Sequence, residues 1–179
     1  METNKYPEDL VLEGYGVKLK RLTHDKIEML RQWRNDPKIQ QYMIYRETIT
    51  PEMQERWFQK INNDHNFYFI IEYEGKEIGC VDIKDVDYDK KCGETGIYLY
   101  DSNFEHCGIA RKAYMSLIEF GFKSLNLKSF IAHVLLDNES SVNFHTKFGY
   151  VLLEKHEDIY GKCVLTKEAY HRPKSVLYE

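Results

Sequence analysis

Apolar and polar residues alternate with a period of two near the start of the chain and then change to helical spacing. The alternation over 17–22 predicts a half-buried strand, and a helix should follow over about 23–35 with its first residue, a threonine, as N-cap. An Asp-Pro pair at 36–37 should end that helix, because the residue before a proline avoids helical geometry. A second helix is predicted over 51–62, with Thr50 as its N-cap and a proline in its first turn.

The middle of the chain has the pattern of antiparallel strands. Residues 67–73 are aromatic and β-branched, and a Glu-Gly-Lys turn should lead them back into a partner strand over 77–83. The apolar positions then change register, which predicts a β-bulge near 84–85. A further strand is expected over 92–100.

The last third of the chain predicts two more helices among three strands. Apolar residues recur at helical spacing over 109–125, and residues 130–136 are apolar on both faces, as in a strand that is covered on both sides. A helix over 139–147 should end at a glycine, and strands over 151–157 and 160–166 complete the pattern.

This order of elements predicts a mixed α/β (α+β) fold with about seven strands in one sheet and about four helices around it. A chain of 179 residues fits a single domain, 1–179, with its core over about 17–168. A chain of this size buries roughly 70% of the surface that its unfolded form exposes. No repeat, linker or low-complexity segment interrupts the sequence.

Composition and charge exclude several classes of function. A net charge of -4 argues against general nucleic-acid binding, which needs a basic surplus to displace counterions. The polar N-terminus and the lack of a long apolar run predict a cytoplasmic protein without a membrane partner. The four cysteines form no Cys-x-x-Cys pair and are expected to be reduced, and the histidines lack the spacing of a zinc site, so no metal is predicted.

The turn before the third predicted helix is the first candidate site. If strands 92–100 and 130–136 are parallel neighbours, the helix between them crosses over in a right-handed sense, and the turn lies at the carboxyl end of a strand. A Gly-x-Ala step at Gly108 leaves backbone N–H groups uncovered at the helix start, which suits a phosphate oxygen. The alternative is that Gly108 only shapes a tight turn.

Three motifs together with the element order resemble the GNAT superfamily of acetyl-CoA-dependent N-acetyltransferases, over 17–168. The pyrophosphate signature of that family, (Arg/Gln)-x-x-Gly-x-(Gly/Ala), corresponds to 105–110, where a glutamate replaces the first residue. The family also has an Asn, followed by a small residue and then by a Tyr that precedes a Gly-Phe or Gly-Tyr pair. This pattern corresponds to 138–150, where a histidine replaces the tyrosine. A Glu-x-Gly-Ile-Tyr strand corresponds to 94–98.

The resemblance implies a fold in which the fourth and fifth strands, 92–100 and 130–136, splay apart to admit acetyl-CoA. Pantetheine would lie along the fourth strand, and backbone N–H groups of the turn would bind the pyrophosphate, while the Glu105 side chain should point to solvent. The implied coenzyme-binding residues are Tyr98, Leu99, Tyr100, Glu105, His106, Cys107, Gly108, Ile109, Ala110, Arg111, Asn138 and Ser141.

Two residues are candidates for proton transfer. His145 occupies the position of the family's general acid, and an imidazolium could protonate the departing thiolate. Its alternative role is packing against the coenzyme. Glu94 is the candidate base, directly or through a water molecule, and its alternative is a carboxylate that is solvated or paired with a lysine. His133 is interpreted as a hydrogen-bonded core histidine rather than a catalyst.

The acceptor side has a local surplus of positive charge. Residues 20–46 contain seven Lys or Arg against three Asp or Glu, which invites an anionic substrate unless salt bridges neutralise the cations. The run from residue 30 to 43 is similar to the acceptor region of N-acetyltransferases that act on UDP-4-amino sugars in pseudaminic-acid biosynthesis. That similarity implies an amino-sugar nucleotide as acceptor, bound by Trp33, Arg34, Asn35, Tyr42, Met43 and Trp57.

Two other functions stay open at this point. The chain also resembles polyamine and protein N-terminal acetyltransferases over 94–149, and an acidic run at 82–89 could attract a polycation. A binding module with the GNAT fold but without catalysis is the second alternative, since the residues at 105 and 145 depart from the family pattern. The sequence is compatible with a homodimer.

Overall fold

The computed structural model of the protein describes residues 5–171. Its centre is a mixed sheet of eight strands in the order β1-β2-β3-β4-β5-β6-β8-β7, antiparallel throughout except for the parallel neighbours β5 and β6. The strands are β1 (Val11–Gly14), β2 (Val17–Arg21), β3 (Phe67–Tyr73), β4 (Lys76–Asp87), β5 (Cys92–Leu99), β6 (Ser129–Leu135), β7 (Val151–His156) and β8 (Tyr160–Thr166).

Five α-helices and two short 3-10 turns lie within the same described range. The helices are α1 (Ile27–Asn35), α2 (Pro37–Gln40), α3 (Pro51–Ile61), α4 (Ile109–Lys123) and α5 (Glu139–Phe148). Helix α3 begins as predicted, since the Thr50 hydroxyl accepts a hydrogen bond from the Met53 N–H at 3.2 Å. The predicted cap at Thr23 is wrong: this residue precedes a 3-10 turn, and its hydroxyl donates to Asp25 instead.

The two faces of the sheet carry different layers. Successive residues of a strand point to opposite faces, so Phe69 and Val81 pack against α4 in the main core, while Ile70 and Cys80 pack against α1 and α3. We call the second of these the acceptor face. Within residues 5–171, α1 and α3 cover this face along β3, β4 and the end of β5. Charged residues of β4, β5 and β6 lie further along it.

The fold class is confirmed, with two elements more than the sequence predicts. Strand β1 was missed because only four residues form it, at the sheet edge, and none of them is fully buried. Helix α2 was missed because the Asp-Pro pair that ends α1 also starts a new turn, with Asp36 Oδ1 accepting from the Lys38 N–H at 3.0 Å. The bulge predicted near 84–85 is present as a register shift between Lys84 and Asp87.

The separation of β5 from β6 is the feature that creates a ligand cleft. Within the described residues their parallel pairing is confined to three residue pairs, from Cys92 with Ser129 to Glu94 with Ile131. Beyond Glu94 the strands diverge, so the later part of β5 has a free edge. The splay expected from the family resemblance is therefore confirmed.

Candidate active site

Strand β5 leads into a tight turn that presents the start of α4. A 3-10 turn over Ser102–Phe104, capped by the Asp101 carboxylate, is followed by exposed residues at 105–107. His106 has a φ of 62° and Gly108 has a φ of 83°, so the chain twice enters the left-handed region before the helix begins. A side chain at 108 would be strained there, and the first N–H groups of α4 have no acceptor within their own helix.

The free edge of β5 offers backbone groups of particular residues. The Tyr100 N–H donates to the Ile78 carbonyl at 2.7 Å, and alternation along an antiparallel ladder then turns the backbone groups of Tyr98 toward β4 as well. The N–H and C=O groups of Ile97 and Leu99 face the opposite way, toward the cleft. Of the three predicted residues, the backbone of Leu99 faces the cleft and those of Tyr98 and Tyr100 face β4. Ile97, which the sequence analysis does not name, also faces the cleft.

Asn138 closes the other side of the cleft at the start of α5. Its Oδ1 accepts from the Ser141 N–H at 3.1 Å, which caps the helix. The Nδ2 group is the part of this side chain that can donate to a ligand. The structure therefore brings Asn138 and Ser141 together at one helix terminus, directly after β6.

His145 lies deeper in the molecule than a solvent-facing acid would. The residue is buried, and its Nδ1 lies 2.8 Å from the Ser141 carbonyl oxygen, so Nδ1–H is the tautomer that this contact favours. Burial lowers the pKa of His145, against a smaller opposing effect of that hydrogen bond. The ring packs against Tyr114, Phe144 and Tyr150 as a neutral imidazole near pH 7, rather than as the imidazolium that the sequence analysis expects.

Glu94 is paired with a lysine and a histidine on the acceptor face. Its Oε1 lies 3.2 Å from Lys84 Nζ and 3.1 Å from His133 Nδ1. This arrangement corresponds to the alternative role considered for Glu94, a carboxylate paired with a lysine. His133 is partly exposed and contacts Glu94, so its interpretation as a core histidine is wrong.

A buried polar cluster lies next to this ion pair, and the sequence analysis did not identify it. Asp82 pairs across the strands with Gly96, and Arg34 of α1 and Tyr98 of β5 complete the cluster. Asp82 Oδ2, Arg34 Nε and the Tyr98 hydroxyl are all inaccessible to solvent and make no hydrogen bond within residues 5–171. Burial raises the pKa of Asp82 to about 6, with further contributions from neighbouring charges.

The aromatic residues predicted for the acceptor divide between core and surface. Trp33 is buried and stacks on Tyr100 with ring centroids 5.0 Å apart, and Trp57 packs edge-on against Tyr68 at 4.9 Å. Tyr42 is exposed and Met43 is half-buried, in the loop that connects α2 to α3.

Asn35 holds that loop in place. Its Nδ2 donates to the Ile49 carbonyl and its Oδ1 accepts from the Ile49 N–H, both at 2.8 Å. Both ends of the amide are therefore used by the fold, and Asn35 fixes the loop that carries Tyr42 and Met43.

Part of the positive charge counted over 20–46 is neutralised by acids that lie outside this segment, and one further cation pairs with an acid inside it. Four of its cations form ion pairs: Lys20 with Glu72, Arg21 with Asp64, Lys26 with Glu77 and Arg31 with Glu28. Lys38 lies 3.7 Å above the centre of the Tyr100 ring. Arg34 is the cation of this region that faces the buried cluster.

The described residues include no helix that could cross a membrane and no cluster of three or more potential metal ligands. The four cysteines are free thiols.

Comparisons with known proteins agree with this geometry. The family model described as "Acetyltransferase (GNAT) domain" matches residues 17–151, which is more than half of the chain. The acetyltransferase PseH of Campylobacter jejuni is 26% identical over 152 residues, which cover 83% of this chain and 93% of that protein. A spermidine N(1)-acetyltransferase of Escherichia coli is 22% identical and covers 76% of this chain and 74% of its own length.

Solved structures show the same fold. A spermidine N-acetyltransferase from Vibrio cholerae, in complex with CoA and spermine, superposes with a TM-score of 0.73 at 18% identity, over 87% of this chain and 98% of that one. The Campylobacter jejuni PseH structure gives a TM-score of 0.65 at 19% identity, over 85% and 99%. The chain therefore belongs to the GNAT family of acetyltransferases, which use acetyl-CoA as the acyl donor.

Proposed function

We propose that the protein transfers the acetyl group of acetyl-CoA to the primary amine of an amino-sugar nucleotide by direct attack. The observation that carries the choice of acceptor is Arg34, whose Nε is buried without a hydrogen-bond partner in the described part of the chain, on the face that borders the cleft. A buried donor of this kind is costly unless a ligand completes it, and a guanidinium suits a diphosphate because it donates in a planar fork.

The coenzyme would occupy the cleft from the turn to the splayed edge. The turn at 105–111 offers N–H groups to the pyrophosphate, and the exposed position of Glu105 keeps its carboxylate available to solvent. Pantetheine would pair with the free backbone groups of Leu99 and receive a hydrogen bond from Asn138. An N–H on this edge would then face the oxyanion of the tetrahedral intermediate.

The acceptor would lie on the acceptor face, beneath the loop between α2 and α3. Arg34 would bind the diphosphate, while Tyr42 and Met43 offer apolar surface to the base or the sugar. Trp33 and Trp57 would shape the floor of this site through their packing on Tyr100 and Tyr68. The chain is 26% identical to PseH and 22% identical to the spermidine enzyme, and this difference supports an amino-sugar nucleotide as the acceptor.

A polyamine is the second candidate acceptor, and the likeness to spermidine acetyltransferases favours it. The acidic run that would attract a polycation is divided in the fold. Asp82 faces the buried cluster, Asp87 is paired with Lys90, and Asp85 and Asp89 are exposed elsewhere on the hairpin. The Arg34 guanidinium, whose Nε is shielded from solvent, would also repel a polycation, so we rank the polyamine second.

A panel of acceptors tests the proposal. Release of free CoA should be measured with UDP-4-amino sugars, the corresponding free amino sugars, spermidine and peptides. We expect turnover of a UDP-4-amino sugar, and Arg34→Gln should raise its KM at least tenfold without a comparable effect on the free amino sugar. Arg56→Gln, an exposed cation on α3, is the matched control. Turnover of spermidine alone would reverse the ranking of the two acceptors.

The roles of Glu94 and His145 in proton transfer stay predictions, as do the single domain, the cytoplasmic location and a homodimer. A catalytically inert binding module is the remaining alternative, and calorimetry with acetyl-CoA decides whether any enzyme function can hold. Lack of binding at high micromolar coenzyme would refute the proposal.

A further inference from the structure

We propose that Asp82 is the catalytic base of this protein: its carboxylate receives the acceptor's ammonium group at Gly96 and takes a proton from it. This inference rests on the proposed acetyl transfer to a primary amine, but it does not depend on which amine is the acceptor. It assigns the base role to a residue other than Glu94.

The position of Asp82 relative to the cleft is the first argument. Asp82 and Gly96 are paired residues of β4 and β5, and Gly96 lies two positions beyond Glu94, where the pairing of β5 with β6 ends. A Cβ atom on Gly96 would lie 2.9 Å from Asp82 Oδ1 and 3.3 Å from Oδ2. The carboxylate therefore extends across the strand that borders the cleft, and it can do so because residue 96 has no side chain.

The second argument is that this cluster lacks partners. Asp82 Oδ2, the Tyr98 hydroxyl and Arg34 Nε come from three different elements, and each is inaccessible and without a hydrogen bond within residues 5–171. Buried polar atoms in native proteins are almost always paired, so three such atoms in one place need an explanation. A polar ligand between α1 and the β4–β5 pair would supply the missing partners.

The electrostatic surroundings favour proton exchange near neutral pH. The pKa of Asp82 is raised to about 6, chiefly by burial; Lys84 and Arg34 lower it, and Glu94 and Asp85 raise it. The uncharged neighbours on this face have raised pKa values, again chiefly through burial, and they are Tyr68, Cys80 and Tyr98. A base whose pKa lies near the working pH is the one that transfers protons best.

The proton and electron pairs balance without any further reactant. Asp82 takes one proton from the ammonium, and the lone pair so released forms a bond from nitrogen to the thioester carbonyl carbon. The carbon–sulfur bond then breaks, and sulfur leaves with its electron pair as the thiolate. The second nitrogen proton of the intermediate passes to that thiolate, and Asp82 returns its own proton to water.

Glu94 is a less suitable base because its Oε1 is already in contact with Lys84 and His133. Glu94 pairs across the strands with Lys84, and this pair is the neighbour, on the same face, of the pair formed by Asp82 and Gly96. The negative charge of Glu94 raises the pKa of Asp82. We therefore assign Glu94 a positioning role: it holds Lys84 and tunes the base.

The test compares Asp82→Asn with Asp89→Asn, an exposed aspartate just after β4. Initial rates of CoA release are measured from pH 5 to 9 with a UDP-4-amino sugar, with spermidine and with methylamine as a small probe amine. For each amine that is turned over, we expect Asp82→Asn to lower kcat by 10²- to 10⁴-fold and to remove the acid limb of the wild-type profile. Affinity for acetyl-CoA, measured by calorimetry, should change less than threefold, and Asp89→Asn should behave as wild type.

Glu94→Gln distinguishes the role of Glu94 from that of Asp82. Its pH–rate profile should keep an acid limb, but at lower pH than in the wild type, because Glu94 no longer raises the pKa of Asp82. An acid limb that persists in Asp82→Asn, or a kcat above one third of the wild-type value, would overturn the assignment. Turnover of spermidine but not of the sugar nucleotide would overturn the proposed acceptor alone, with Asp82 then judged on the spermidine profile. Turnover of none of the three amines by a protein that binds acetyl-CoA would overturn both proposals.

Discussion

Replacing Asp82 by asparagine should stabilise the folded protein at neutral and alkaline pH. The structure keeps the pKa of this carboxyl at about 6, whereas an unfolded chain gives an aspartate its ordinary value of 3.8. The folded state therefore favours the protonated form. The favourable contribution is complete below about pH 4, and it is lost as the pH rises toward 6, because ionising the buried carboxyl opposes folding.

The size of the effect follows from this shift. A difference of about two pKa units corresponds to about 3 kcal/mol, since each unit is worth 1.36 kcal/mol. Asp82 as a whole is partly exposed although its Oδ2 is shielded, so we expect about 1–3 kcal/mol in the free energy of unfolding at pH 8. Asparagine has the same shape and carries no charge, so it removes the cost of a shielded ion without changing the space that residue 82 fills.

Urea denaturation of the two proteins between pH 4 and pH 8 measures this difference. The variant should exceed the wild type by the stated amount at pH 8, and the two free energies should converge toward pH 4. Asp89→Asn provides the control for the loss of a negative charge at the surface. A variant that is less stable than the wild type at pH 8, or a difference that does not change with pH, would refute the argument that burial strains this carboxylate.

Three further predictions concern other parts of the site. Gly108→Val should abolish acetyl-CoA binding in calorimetry, because a side chain at a φ of 83° strains the turn, while the circular dichroism spectrum should stay native. Retained affinity would place the pyrophosphate elsewhere. Burial lowers the pKa of His145, so protonation of this residue below about pH 6.5 opposes folding. Between pH 7.5 and 5, the melting temperature of His145→Gln should therefore fall less than that of the wild type. An equal fall in the two proteins would mean that His145 is not the acid-sensitive group. Asn35→Ala should release the loop between α2 and α3 and raise the acceptor KM without changing the coenzyme affinity, and an unchanged KM would separate that loop from the acceptor site.

The coenzyme side of this protein could be predicted from the sequence because its signals are local. Gly108 and Ala110 lie two residues apart at a helix start, and Asn138 and Ser141 lie one helical turn apart, so spacing alone places each pair. The splayed strands followed from the resemblance to the GNAT superfamily, and the short pairing of β5 with β6 agrees with them. The backbone direction along β5 required the observed register, which is why Leu99 rather than Tyr98 or Tyr100 proves to face the cleft.

The acceptor side could not be predicted as well, because it is assembled from distant segments. Two of the cations over 20–46, Lys20 and Lys26, pair with Glu72 and Glu77, which lie on strands formed much later in the chain. The cluster of Arg34, Asp82 and Tyr98 joins a helix to two strands, and an alternating pattern indicates only that residue 82 shares a face with Cys80 and Lys84. For His145, the sequence gives the position on the helix but not the burial that makes the imidazole neutral.

The two carboxylates of the acceptor face show how one site can treat two chemically equal groups differently. Glu94 is paired with Lys84 and His133, whereas Asp82 is shielded and has an oxygen without a partner among the described residues. Such pairs, whose environments differ, are where acid and base roles separate. An ammonium group would satisfy Asp82 in a sugar nucleotide and in a polyamine alike, so Asp82 explains the reaction but not the choice of substrate. In our proposal Arg34 would make that choice, because a guanidinium that binds a diphosphate would repel the additional positive charges of a polyamine.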